Sequence, residues 1–131
     1  MTTISSDSGS SDSGRGATRT WDERPWGSWH VLAEGDGWKV KRLVVRPHAR
    51  LSLQSHQHRS EHWTVLAGVA SCQVDSVPTE VRVGDEVHVP CGSTHRIANT
   101  GEEWLEIVEL QLGDYLGEDD IVRLEDDYGR C

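Results

Sequence analysis

The sequence contains no phenylalanine, two tyrosines and a single methionine. Six tryptophans supply nearly all of its aromatic surface, so any core must be built from branched aliphatic residues around a few large indoles. No apolar run approaches the roughly 20 residues of a membrane-spanning helix. The N-terminus is polar rather than basic and then apolar, so no signal peptide is read and a cytoplasmic protein is expected. Three cysteines (Cys72, Cys91 and Cys131) are an odd number without CxxC spacing, which fits reduced structural thiols better than a disulfide framework. Positive charge is scarce too. Thirteen Lys and Arg face twenty-two Asp and Glu, a formal net charge of −9, which disfavours nucleic acid and anionic membrane as partners.

The charge that is present is unevenly spread. Six basic residues, Lys39, Lys41, Arg42, Arg46, Arg50 and Arg59, fall in one segment without an acidic neighbour, whereas eleven acidic residues follow from Glu102 onward against Arg123 and Arg130. A basic segment in an acidic chain suits a small anion such as a phosphorylated metabolite. The competing reading is a set of solvated, outward-facing strand positions.

At 131 residues the chain has room for one small domain. Residues 1–20 are rich in Ser, Gly, Asp and Thr, with Ile4 their one large apolar side chain after the initial Met1, and are expected to be a disordered tail. The remainder, 21–131, reads as a single domain of short strands. Trp29–Leu32 is a first strand, Gly35-Asp36-Gly37 a hairpin turn, and Trp38–Arg46 an alternating strand closed by Pro47. Strands are also expected over 50–55, 61–66, 69–74, 79–83, 86–89, 95–99 and 104–112, with a turn at Asp75-Ser76-Val77-Pro78. The acidic segment 114–130 reads as a helical turn or a last strand. Many short strands with Gly and Pro turns and no convincing helix make an all-β barrel or sandwich.

One stretch concentrates the chemistry. His56-Gln57-His58-Arg59-Ser60-Glu61-His62-Trp63 packs three histidines and a carboxylate into eight residues, and Pro90-Cys91-Gly92-Ser93-Thr94-His95 adds a further histidine behind a tight turn. Alternate residues of a strand share a face, so His56 and His58 are expected side by side, with Leu51 and Leu53 opposite. Imidazole and carboxylate together hold divalent transition metals. His56, His58, Glu61 and His95 are therefore expected to meet on one divalent metal ion (Zn, Mn, Fe, Co or Ni). If the leucines faced inward instead, the histidines would lie on the surface. Gln54 is placed to hydrogen-bond a sugar hydroxyl or a ligand imidazole. Arg59 and Arg96, beside ligands, reach either a phosphate or oxyanion or the acidic tail. His62 points away from Glu61, towards a partner or the substrate mouth. His30, His48 and His88 read as surface or strand histidines, Trp63 as packing and Asn99 as a turn residue.

These residues carry a resemblance. Gly84-x5-Pro90-x-Gly92-x2-His95-x3-Asn99 fits the second cupin motif, G-x5-P-x-G-x2-H-x3-N, at every position. The first motif, G-x5-H-x-H-x3-4-E-x6-G, is met by His56-x-His58 and Glu61-x6-Gly68, but only two residues separate His58 from Glu61 and Arg50 stands at the glycine. Arg24-Pro25-Trp26-Gly27, Leu51-Ser52-Leu53-Gln54, His58-Arg59-Ser60-Glu61-His62-Trp63 and Tyr115–Arg123 resemble the cupin domain of type II phosphomannose isomerases, over roughly Trp21 to Arg130.

The resemblance implies a small double-stranded β-helix (jelly-roll) barrel and a metal-dependent aldose–ketose isomerase interconverting mannose 6-phosphate and fructose 6-phosphate. Lys41, Gln54 and Arg59 are expected as substrate-binding groups and His62 and Arg96 as catalytic ones. Either Glu61 or His62 completes the metal shell, and the base is open among His62, Glu61, Glu109 and Lys41. The partner implied is a sugar phosphate, and exposed leucines with the Trp-rich N-terminal segment suggest a homodimer. Two other classes fit the same cavity: a non-catalytic sugar- or metabolite-binding module, and a metal-dependent oxygenase.

Overall fold

The computed structural model describes residues 20–129. The expected disordered tail therefore lies, apart from Thr20, outside the described residues. Eleven strands are present: β1 (Trp21–Arg24), β2 (Gly27–Gly35), β3 (Trp38–Val45), β4 (Leu53–Ser55), β5 (Arg59–Ala67), β6 (Ala70–Val74), β7 (Val77–Val81), β8 (Glu86–Val89), β9 (His95–Asn99), β10 (Leu105–Gly113) and β11 (Val122–Glu125). They form two antiparallel sheets, β1-β2-β3-β10-β5-β8 and β11-β4-β9-β6-β7, packed face to face as a double-stranded β-helix barrel. No helix among the described residues is long and apolar enough to cross a membrane.

The barrel interior is divided along its length. On the three central strands of the larger sheet, inward positions change from polar to apolar: Lys39, Lys41, Leu43 and Val45 on β3, and Arg59, Glu61, Trp63 and Val65 on β5. β10 runs antiparallel to both, and its inward residues are Leu105, Ile107, Glu109 and Gln111. The register stacks like with like. Leu43, Ile107 and Val65 align, as do Lys39, Gln111 and Glu61. One end of the barrel is thus a dry core closed by Ala70, Cys72, Val81 and Ile97 of the second sheet, and the other is a buried polar floor. An alternating strand sequence normally separates inside from outside; here a second gradient separates two ends of the inside.

Several expected boundaries move. β1 precedes the expected first strand, and the acidic tail ends in β11. The turn before β7 uses Asp75 and Ser76 alone, at φ of 51° and 73°, so Val77 and Pro78 already belong to the strand. The strand expected over 50–55 shrinks to Leu53–Ser55, with Arg50 making a single bridge to Ala98. That shortening matters for the site. Leu51 packs against the core, yet His56 is buried as well, because alternation stops where β4 stops.

Candidate metal centre

Three side chains converge at the polar end. One nitrogen or oxygen each of His56, Glu61 and His95 lies within 4.8 Å of the others, and all three residues are buried. β5 carries Glu61, β9 begins with His95, and the loop after β4 carries His56. The imidazoles of His56 and His95 sit with ring centroids 4.9 Å apart. Glu61 Oε2 is 3.3 Å from His56 Nε2, and Glu61 Oε1 is 3.8 Å from His95 Nε2.

The second nitrogen of each ring sets its tautomer. His56 Nδ1 donates to the Asp120 carbonyl oxygen at 2.6 Å, and His95 Nδ1 donates to that of Ser93 at 3.1 Å. A carbonyl only accepts, so both rings carry hydrogen on Nδ1 and turn the Nε2 lone pair towards Glu61. Burial, then the nearby Arg59 charge, pushes the His56 pKa down to about 4, and burial lowers that of His95. Both imidazoles are neutral at pH 7. Neutral imidazole, neutral imidazole and carboxylate form a donor set that fits a divalent transition metal.

Around this set the polar floor is closely bonded. Trp63 Nε1 donates to Glu61 Oε1 at 2.9 Å. Arg59 Nε donates to Glu61 Oε2 at 2.9 Å, and Arg59 Nη2 donates to His56 Nε2 at 3.1 Å. Glu109, two positions from Gln111 and bonded by its Nε2 at 2.8 Å, has its pKa raised to about 7 by burial and by the Glu61 charge. A cleft opens onto this floor, lined by Ser52, Gln54, Glu61, Trp63, His95 and Glu109 among others.

His58 is not part of the cluster. The chain bends after Ser55, and the His58 side chain, 54 % exposed, lies 3.9 Å from Asp114 and edge-on to Tyr115. The pairing of His56 with His58 assumed a strand through both; in a bend, residues two apart no longer share a face. The first motif consequently slides by two residues. His48, Gln54, His56, Glu61 and Gly68 then satisfy G-x5-H-x-H-x4-E-x6-G in spacing, with His at the glycine position and Gln at the first histidine. The backbone supports this register: His48 has φ of 64° and Gly68 of 84°, both in the region that favours glycine. Gln54 pairs with His95 across the β4–β9 ladder and lines the cleft, its Nε2 donating to Ser52 Oγ at 2.9 Å.

The other expected site residues are dispersed. Lys41 is buried on the floor, its Nζ 2.6 Å from Glu118 Oε2 and 4.5 Å from the centre of the Trp29 ring. Arg96 lines the cleft with its stem, but its guanidinium donates to the Leu51 carbonyl and to Glu125, the tail contact that was its second reading. His62 lies on the outer face, exposed and stacked on His88 at 4.6 Å. Asn99 fixes its turn, donating to the carbonyls of Val45 and Glu103 and accepting from Gly101. Asp120 entered the sequence reading only as part of the Tyr115–Arg123 stretch, with no role at the site. Its carboxylate accepts the amides of Gln57 and His58, both at 2.9 Å, yet nothing separates it from the other acids of the tail.

Comparison with known proteins places the chain in a family. Residues 13–126 match the family described as "Mannose-6-phosphate isomerase C-terminal". The chain is 50 % identical over 107 residues to the alginate biosynthesis protein AlgA of Pseudomonas aeruginosa, covering 82 % of this chain and 22 % of that protein. It is 42 % identical to a mannose-1-phosphate guanylyltransferase of Escherichia coli, again covering 82 % of this chain and 22 % of the relative. It thus spans less than a quarter of the length of these relatives. A double-stranded β-helix protein from Klebsiella pneumoniae superposes with a TM-score of 0.65 at 23 % identity, over 74 % of this chain and 83 % of the other.

Proposed function

This chain belongs to the mannose-6-phosphate isomerase C-terminal family, and on that premise we propose that its barrel is a metal-dependent aldose–ketose isomerase acting on mannose 6-phosphate and fructose 6-phosphate. The observation that carries the reading is the convergence of His56, Glu61 and His95 at the polar end of the barrel. These three residues would hold the ion. A divalent metal with open positions supplies Lewis acidity, stabilising negative charge on the oxygens between which the carbonyl moves.

The chain's own residues do the rest. The apolar half of the barrel closes the floor from one end, and the Trp63 indole fixes the Glu61 carboxylate. A proton must move between adjacent carbons, which requires a base within reach of the bound sugar. Of the residues admissible for that step, Glu109 and Lys41 lie on the inner floor, whereas His62 faces outward. Gln54 stands in the cleft, placed to hydrogen-bond a sugar hydroxyl, and Lys41 and Arg59 are buried cations of the floor that we assign to the phosphate. A cytoplasmic homodimer, associating through the outer face of the larger sheet where Trp38, Leu66 and Leu112 are exposed, completes the reading.

The deciding experiment follows mannose 6-phosphate turnover through chelation and metal restoration. Turnover that disappears with chelator and returns with one divalent ion per chain supports the reading. Metal-loaded protein that binds the sugar phosphate without converting it overturns the isomerase.

A further inference from the structure

Arg59 is the one member of the cluster that a metal site does not need. Its guanidinium holds Glu61 Oε2 through both Nε and Nη2, at 2.9 and 2.8 Å, and reaches His56 Nε2 at 3.1 Å. Two of the three candidate ligands therefore give their donor atoms to one side chain. His56 Nε2 has a single lone pair, since Nδ1 is bonded to Asp120, so it serves either the guanidinium or a metal.

We propose that Arg59 is a built-in counter-cation of this centre, and that a divalent metal binds by displacing its guanidinium from Glu61 and His56. The inference rests on the metal reading of the cluster. A carboxylate as buried as Glu61, at 1 % exposure, is strongly unfavourable without a positive partner. The other buried cations at this end are committed: Lys41 to Glu118, Lys39 to the Leu116 carbonyl, and Arg96 to Glu125. Arg59 supplies the missing charge and cannot give it up, because guanidinium stays protonated. A divalent ion among the same three donors would sit against that charge, so ion and guanidinium exclude one another.

Two consequences separate this centre from a site waiting empty for metal. The barrel keeps its ligands in place without an ion, and metal affinity is reduced by the free energy of expelling Arg59. The expelled guanidinium, still flanked by Glu109 and Glu118, becomes available to an anionic ligand, so metal and phosphate binding reinforce one another.

Cobalt titration of the chelated full chain, followed by visible absorption, tests this on wild type, Arg59→Gln and Arg59→Lys. The Arg59→Gln chain is expected to bind Co2+ at least about tenfold more tightly than wild type. Its thermal midpoint is expected to fall without metal and to rise more than that of wild type when Co2+ is added. Should Arg59→Gln not fold, Arg59→Lys carries the test, because an ammonium lacks the planar fork that holds Glu61 Oε2 and His56 Nε2 in place and is more readily displaced, so affinity must again exceed that of wild type. In wild type, Zn2+ is expected to shift an arginine Nε–H resonance. Equal affinities for wild type and variants, or arginine resonances that stay fixed, overturn the counter-cation and leave the metal site standing. Absence of Co2+ binding in all three chains overturns the metal reading itself.

Discussion

Asp120 grips the loop of His56 at two points: its carbonyl oxygen accepts from His56 Nδ1 at 2.6 Å, and its carboxylate accepts the amides of the next two residues. A residue in the acidic tail thereby aims a side chain sixty-four positions earlier. Replacing Asp120 with Ala leaves two half-buried amides without their acceptor, a loss of about 1–3 kcal/mol. Metal affinity is expected to fall by about 10–100-fold, the usual range for groups that orient a ligand histidine. Urea unfolding and a Co2+ titration measure the two effects.

The same carboxylate gives the fold a pH dependence of known sign. Burial, the largest single influence on Asp120, raises its pKa, but the two amide bonds and the neighbouring histidines outweigh it and hold the value below normal. A depressed acid contributes stability that is complete above its unfolded pKa of about 3.9 and is lost as pH falls through the folded value. Wild type and Asp120→Asn should therefore differ by a constant amount between pH 5 and 7. Below about pH 4 the gap should close as the carboxylate takes up its proton. A urea midpoint that tracks pH identically in both proteins would contradict the assignment.

His58 and His95 make a sharper pair of substitutions. Sequence spacing put both on the metal, and the structure brings only His95 to Glu61. His95→Ala is expected to lower metal affinity by more than about 100-fold, beyond the effect of a merely orienting group. His58→Ala should stay within about threefold of wild type, since an exposed side chain outside the cluster contributes little. Equal losses in the two variants would put His58 back into the centre.

That pair also marks how far the sequence alone could be read. The Pro90–His95 turn was legible because its backbone demands particular residues: Gly84 and Gly92 have φ of 91° and 86°, with open space where a side chain would go. Alternation correctly gave Glu61 and Trp63 one face of β5, because that strand is regular over its whole length. It failed at His58, where β4 ends three residues earlier and the chain bends. His48 hid the motif register in a different way. At φ of 64° it occupies a glycine's conformation without being glycine, so spacing counted from Arg50 landed two residues late. Asp120 was beyond reach because an acid that caps a loop and an acid in solvent are the same letter.

The two described thiols should differ in reactivity. Cys72 is buried on β6 within the apolar half, and burial pushes its pKa up to about 12; Cys91 is exposed in the turn before His95. Thiolate is the reactive form, so alkylation of native protein at pH 8 should label Cys91 and spare Cys72. Peptide mapping by mass spectrometry reads this out. Cys72 should be labelled only in denaturant, at the midpoint where the sheets separate; native labelling would mean that the apolar half opens on its own.

Gly113 ties the end of β10 to the site by leaving no room for a side chain. It pairs with Arg59, and a Cβ built there would lie 2.1 Å from the His58 carbonyl oxygen and 2.9 Å from Arg59 Cα. Both are backbone atoms, so relief requires moving the start of β5, which carries Arg59, away from β10. Gly113→Ala is expected to destabilise the metal-free barrel by about 1–3 kcal/mol, the range for forced overpacking. Gly101→Ala is the matched control, since its Cβ would meet only Asn99 Oδ1 at an ordinary 3.6 Å and its amide bond to that oxygen survives. It should remain within about 0.5 kcal/mol of wild type. Chemical unfolding of the two alanine variants side by side separates a general intolerance of glycine replacement from the specific closeness of β10 to the Arg59 backbone.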